Sequence, residues 1–140
     1  MHGILIVTHG DVGAALLRCA ESILGQVEGV RAVTINANDN HDEALQRIRD
    51  AMTELGENSG VLVLTDMFGG TPSNVSLTLL EPTRVEVVSG VNMPMLLHAL
   101  NQRARVESLA ALAQSTAASG RKNVVIAGEL LGESGETKAS

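Results

Sequence analysis

Four consecutive apolar, β-prone residues, Ile4-Leu5-Ile6-Val7, run without a break into Thr8-His9-Gly10-Asp11. A strand with one face in water alternates polar and apolar side chains. An unbroken apolar run needs cover on both faces, a condition met in a parallel sheet sandwiched between helices. The run therefore predicts a central strand with His9 at its carboxyl end, just ahead of a helix capped by Asp11. In open α/β sheets, ligands bind beyond the carboxyl ends of the strands.

The same pattern returns in Val61-Leu62-Val63-Leu64, which leads into Thr65-Asp66-Met67-Phe68-Gly69-Gly70-Thr71-Pro72-Ser73-Asn74. Further strands are expected at 31–35 and 84–88. Helices are expected at 11–24, 41–55, 72–80, 94–102 and 106–118. Thr71 reads as the N-cap of the third helix with Pro72 first inside it, and Ser119-Gly120 as the stop of the fifth. On the first helix, Val12, Ala15, Leu16, Cys19 and Ile23 form the stripe expected to face the core. A last apolar piece, 124–126, reads as a short edge strand. Residues 1–128 then form one domain and 129–140 a flexible tail. Alternating strands and helices imply right-handed βαβ units and a three-layer, mostly parallel α/β sheet. The expected strand order is flavodoxin-like, 2-1-3-4, with its crevice between the first and third strands.

Composition removes several functions. A net charge of −6 argues against a surface built to hold nucleic acid. One Phe, with no Tyr or Trp, argues against stacking a base or a flavin. No apolar run approaches the roughly 20 residues of a membrane span. The lone Cys19 offers no disulfide framework, which suits a cytoplasmic protein.

Three strand ends carry unusual residues: His9 with Gly10, Asp66 with Gly69-Gly70-Thr71, and Ser89-Gly90 with Asn92. Each precedes a helix start, whose free N–H groups suit a phosphate. A carboxylate that accepts from one imidazole nitrogen fixes the tautomer and leaves the other nitrogen to attack. The residues alone leave two readings of His9 and Asp66 open: a steered nucleophile, or two side chains that each cap a turn. Of the other histidines, His2 is expected to be solvated, His41 to face water and His98 to pack or lie on the surface. The crevice offers too few ligands for a metal. A hydrolase triad through Ser73 or Ser89 lacks the Gly-x-Ser-x-Gly elbow that presents a serine.

Together, Ile6–Gly10, Thr65–Asn74 and Gly90–Leu96 resemble the mannose-type enzyme IIA family, phosphocarriers of the phosphoenolpyruvate-dependent sugar phosphotransferase system. The resemblance runs over roughly the first 128 residues. It implies that His9 is the phosphorylated histidine and Asp66 its orienting partner. Gly10, Phe68, Gly69, Gly70, Thr71, Ser89 and Asn92 would surround the phosphoryl group. It also implies no cofactor and no metal, a phosphoryl donor in the histidine-containing phosphocarrier protein and an acceptor in enzyme IIB. Membrane association would be indirect, through a sugar permease complex. Family members are dimers that exchange the last strand, here 124–126. The role could be sugar transport or phosphorylation-state regulation. Two alternatives remain at this stage. One is the phosphoryl donor subunit of a dihydroxyacetone-kinase-type system, which is less similar around Phe68–Pro72. The other is a phosphohydrolase with a histidine nucleophile, which would want cationic clamps that the motif loops lack.

Overall fold

The structure, a computed structural model, describes residues 1–132. In chain order the elements are β1 (Gly3–His9), α1 (Val12–Leu24), β2 (Val30–Ile35), α2 (His41–Glu54), β3 (Val61–Thr65), α3 (Thr71–Leu77), β4 (Val85–Ser89), α4 (Met93–Gln102) and α5 (Leu109–Lys122). A last helical stretch covers 127–132. The four strands form one parallel sheet in the order β2-β1-β3-β4. That is the expected order.

The unbroken apolar runs are explained by cover on both faces. Ile4, Ile6, Leu62 and Leu64 point into one core with residues of α1, α4 and α5. Leu5, Val7 and Val63 point into the other with Ala44, Ile48 and Ala51 of α2 and Val75 of α3. All seven strand residues are fully buried. Each such Leu, Ile or Val contributes about 1.5–3 kcal/mol relative to exposure. The sheet is thus fixed most firmly where β1 and β3 lie side by side.

Five expectations fail, each for a local reason. The first concerns α1. Its buried positions are Gly13 and Ala20, while Val12, Cys19 and Ile23 are exposed. A side chain at 13 would place Cβ 3.0 Å from Ile6 Cγ2 and 3.1 Å from Thr8 Oγ1. The helix approaches the sheet along its glycine, so the inward face is 13, 16, 17 and 20, and of the expected stripe Leu16 packs on the core. Second, Asp11 makes no capping side-chain bond. The buried Thr8 hydroxyl accepts the Gly13 N–H at 2.7 Å instead. Third, Gly70 rather than Thr71 is the N-cap of α3, and Thr71 lies inside the helix. Fourth, α5 continues through Ser119-Gly120 to Lys122. Gly120 is buried against Met95, and a Cβ there would collide with that side chain, so this glycine permits contact between α4 and α5 rather than ending a helix.

Fifth, 124–126 is not a strand. Val124, Val125 and Ile126 are exposed, and among the described residues β4 is an edge of the sheet. Of the expected tail, 129–132 is helical and 133–140 lies outside the described residues. No helix among the described residues is long and apolar enough to cross a membrane.

Candidate functional site

Register builds the site. Val7 pairs with Thr65, and Thr65 with Ser89. The chain one or two residues beyond each of these strand positions therefore emerges on one rim. His9 ends β1 there and Asp66 follows β3. Gly10 takes a left-handed φ of 53°, and its N–H is held by Ile35 O at 3.0 Å. This turns the chain into α1 immediately after the histidine.

Asp66 Oδ2 accepts twice from one residue: from His9 Nδ1 at 2.8 Å and from the His9 backbone N–H at 3.0 Å. Its Oδ1 accepts from Met67 N–H at 3.1 Å. A carboxylate can only accept, so Nδ1 carries a proton, and in the neutral ring Nε2 keeps its lone pair. Partial burial pushes the Asp66 carboxyl up. The His9 ring and the His9 backbone N–H outweigh that and hold it below its ordinary value, so it stays ionised. The His9 side chain is 49% exposed, within reach of a second molecule.

Nε2 lies against the start of α3. A Cβ on Gly70 would fall 2.5 Å from His9 Cε1 and 2.9 Å from Nε2, so only glycine fits beside the ring. The first bond of α3 runs from Asn74 N–H to Gly70 O. The N–H groups of Thr71 and Ser73 therefore precede the ladder, at the positive end of the helix. Gly69, with φ 104°, makes the preceding bend. On the other side, Thr65 Oγ1 donates to Ser89 Oγ at 2.9 Å, which leaves the Ser89 proton free to donate elsewhere.

Of the remaining candidates, some sit as expected, His41 and His98 among them, and others do not. Asn92 caps α4: its Oδ1 accepts from Met95 N–H at 3.0 Å and its Nδ2 donates to Gly120 O at 3.2 Å. Phe68 is 73% exposed, and Met67 is exposed too, so they form no closed apolar wall over the histidine. His2 is buried rather than solvated, with Nε2 held between Val106 O and Glu107 O at 3.0 and 2.9 Å. His98 packs between helices, with Nε2 on Ser115 Oγ at 2.9 Å. His41 is exposed. Sequence reasoning missed Thr8, whose hydroxyl fixes the turn after His9. It weighed Ser73 only as a hydrolase nucleophile; its buried hydroxyl, in the first turn of α3, has no hydrogen-bond partner among the described residues. Thr8 could have been suspected, since a polar residue in an otherwise apolar buried run must find a bond. Among the described residues, no group of three His, Cys, Asp or Glu side chains stands close enough to hold a metal ion.

Fold and site define a class: an α/β protein with a carboxylate-steered histidine mounted at the carboxyl rim of a parallel sheet. A family model described as PTS system fructose IIA component, EIIA-man, matches residues 3–117. The chain is 34% identical over 123 residues to the PTS system mannose-specific EIIAB component of Escherichia coli K12, covering 85% of this chain and 38% of that relative. It is 32% identical over 104 residues to the PTS system fructose-specific EIIA component of Bacillus subtilis 168, covering 74% of this chain and 71% of the relative. Phosphotransferase system component EIIA from Streptococcus agalactiae superposes with a TM-score of 0.79 at 30% identity, over 90% of this chain and 97% of that one. The mannose/sorbose specific IIA subunit from Enterococcus faecalis gives 0.78 at 26% identity, over 89% and 92%. The chain belongs to the EIIA-man family, and it spans 38% of the length of the mannose-specific relative it matches.

Proposed function

We propose that this protein is a phosphoryl carrier of the sugar phosphotransferase system and that His9 Nε2 carries the phosphoryl group. The observation that carries the reading is the pair of hydrogen bonds that His9 donates to Asp66 Oδ2, which leaves Nε2 as a free nucleophile beside Gly70. The donor is a phosphohistidine of the histidine-containing phosphocarrier protein. Its P–N bond breaks as a bond to Nε2 forms, and the electron pair returns to the donor ring. Positive charge that develops on the His9 ring is balanced by Asp66, and Nδ1 keeps its proton. The phosphoryl oxygens are received by backbone N–H groups of the Gly69-Gly70-Thr71 turn, by the Thr71 hydroxyl and by Ser89. Transfer of this kind rests on positioning and charge stabilisation, which these groups can supply.

The reverse step delivers the group to a histidine of enzyme IIB, for sugar uptake or as a phosphorylation-state signal. We also infer a cytoplasmic homodimer. The open edge of β4 and the exposed Val124, Val125 and Ile126 support exchange of that segment between copies.

Incubation with phosphoenolpyruvate, enzyme I and the phosphocarrier protein should give one acid-labile phosphoryl group per chain. It should be absent from His9→Ala. Undiminished labelling of that variant would reject the assignment.

A further inference from the structure

The amino end of the sheet, opposite the His9 rim, holds a cleft of about 350 Å³. His2, Ser59, the turn at 83–84 and the start of α5 line it. His2 is 3% exposed, yet only one of its ring nitrogens is bonded. Nε2 meets two carbonyls, Val106 O and Glu107 O, so Nε2 carries the proton of the neutral ring. Nδ1 then holds a lone pair and has no hydrogen-bond partner among the described residues. Buried polar atoms are nearly always bonded, so an orphan on the wall of a cleft points to a donor from outside the chain.

The rest of the lining is mostly positive. Arg84 is exposed and forms no ion pair among the described residues. Its Nη1 lies 3.5 Å from Ser59 O, too far for a strong bond. The 14-residue helix α5 starts at the same cleft. Its first ladder bond runs from Leu112 N–H to Ser108 O, and Ser108 Oγ accepts the Ala111 N–H. The N–H groups of Leu109 and Ala110 therefore precede the ladder, at the positive end of the helix. Against these stands one carboxylate of the lining, that of the exposed Glu107.

We propose that this cleft binds a monophosphate, either free inorganic phosphate or the ester of a small alcohol. The partners select that chemistry. Arg84 and the N–H groups of Leu109 and Ala110 receive the oxygens of an anion. Nδ1 of His2 needs a proton, which a carboxylate or a sulfate no longer holds near neutral pH. A phosphate loses its second proton only around pH 6, so near neutrality part of it still carries a P–OH. That hydroxyl donates to Nδ1, or its proton moves to the ring and the phosphate oxygen accepts from Nδ1–H. The complex holds the same single proton in both forms, and no bond to phosphorus is made or broken. His2 and His9 stand at opposite ends of β1, roughly 20 Å apart at the rise of a strand. The cleft is thus a second site, independent of the carrier reading.

The test is a titration of inorganic phosphate into the full, unphosphorylated chain, followed by proton–nitrogen NMR. The His2 ring nitrogens and the Leu109 and Ala110 amides should shift together and saturate. Arg84→Gln removes the charge and should weaken binding about 10-fold. His2→Gln keeps an N–H donor for the two carbonyls but removes the Nδ1 acceptor, and it should also weaken binding about 10-fold. Sulfate, which has the charge and no proton to give, should bind about 10-fold more weakly than phosphate. Tighter binding of a hexose monophosphate than of inorganic phosphate would support an ester as the ligand, and weaker binding would support the free ion. Signals unmoved at about 20 mM phosphate would overturn the proposal. So would unchanged affinity in either variant, or sulfate binding as tightly as phosphate.

Discussion

Two histidines flank a single strand and have opposite fates. His2 precedes β1 and is buried, its Nε2 shared between two backbone carbonyls of the α4–α5 connection. His9 ends β1 and is half-exposed, its Nδ1 held by a carboxylate and its Nε2 left open. The rings are alike. What separates them is which nitrogen is bound, by what, and whether water reaches the other. Carbonyl partners on Nε2 make a structural clip that closes the amino end of the sheet. A carboxylate on Nδ1 makes a nucleophile at the carboxyl end.

The largest effect expected from breaking this contrast is at Asp66. Asp66→Asn preserves the shape but releases the tautomer, so phosphorylation of His9 should slow by about 100-fold or more. Rapid-quench labelling measures it, and a wild-type rate would reduce Asp66 to a turn cap. Gly70→Ala should also cut the labelling rate sharply, because the added methyl would occupy the space of the His9 ring. A normal rate would show that the ring does not rest where the structure has it. At the other end of the strand, His2→Ala should leave two carbonyls unpaired and cost about 1–3 kcal/mol in urea unfolding, with labelling unchanged. Lost labelling in a folded His2→Ala protein would erase the distinction between the two histidines. Thr8→Val should cost about 1 kcal/mol through the lost cap of α1, with a smaller effect on labelling.

Acid sharpens the same contrast. The Asp66 carboxyl is held below its ordinary value of 3.8, with burial opposing and the bonds from His9 prevailing. A lowered carboxylate contributes stability that is complete above its unfolded value and disappears as pH falls through its folded value. Wild-type stability should therefore decline below about pH 4, where the carboxyl of the unfolded chain takes up a proton before that of the folded one, and the decline should be shallower in Asp66→Asn. Identical acid profiles for the two proteins would show that the His9 bonds do not hold in solution.

Much of this architecture was legible because it depends on covering apolar runs. Ile4–Val7 and Val61–Leu64 could only be central strands, and their neighbours followed from chirality and short connections. His9 and Asp66 were legible as strand-end residues, and register brought them together. Two of the failures come from glycine at a close approach, one overlooked and one read as a helix stop. Gly13 turns α1 onto an unexpected face, and Gly120 lies within α5 against Met95. Burial of His2 was hidden because its partners, the carbonyls of Val106 and Glu107, lie more than 100 residues away. The exposed apolar triplet at 124–126 looked like a strand because its sequence suits one, yet nothing within the described chain pairs with it.

The central claim is that Asp66 fixes the proton on Nδ1 of His9 and leaves Nε2 to take the phosphoryl group. Long-range proton–nitrogen NMR on the ring, before and after phosphorylation, tests it directly. The account predicts the Nδ1–H tautomer at rest and phosphorus coupled to Nε2 afterwards. An Nε2–H tautomer at rest, or phosphorus on Nδ1, would contradict it.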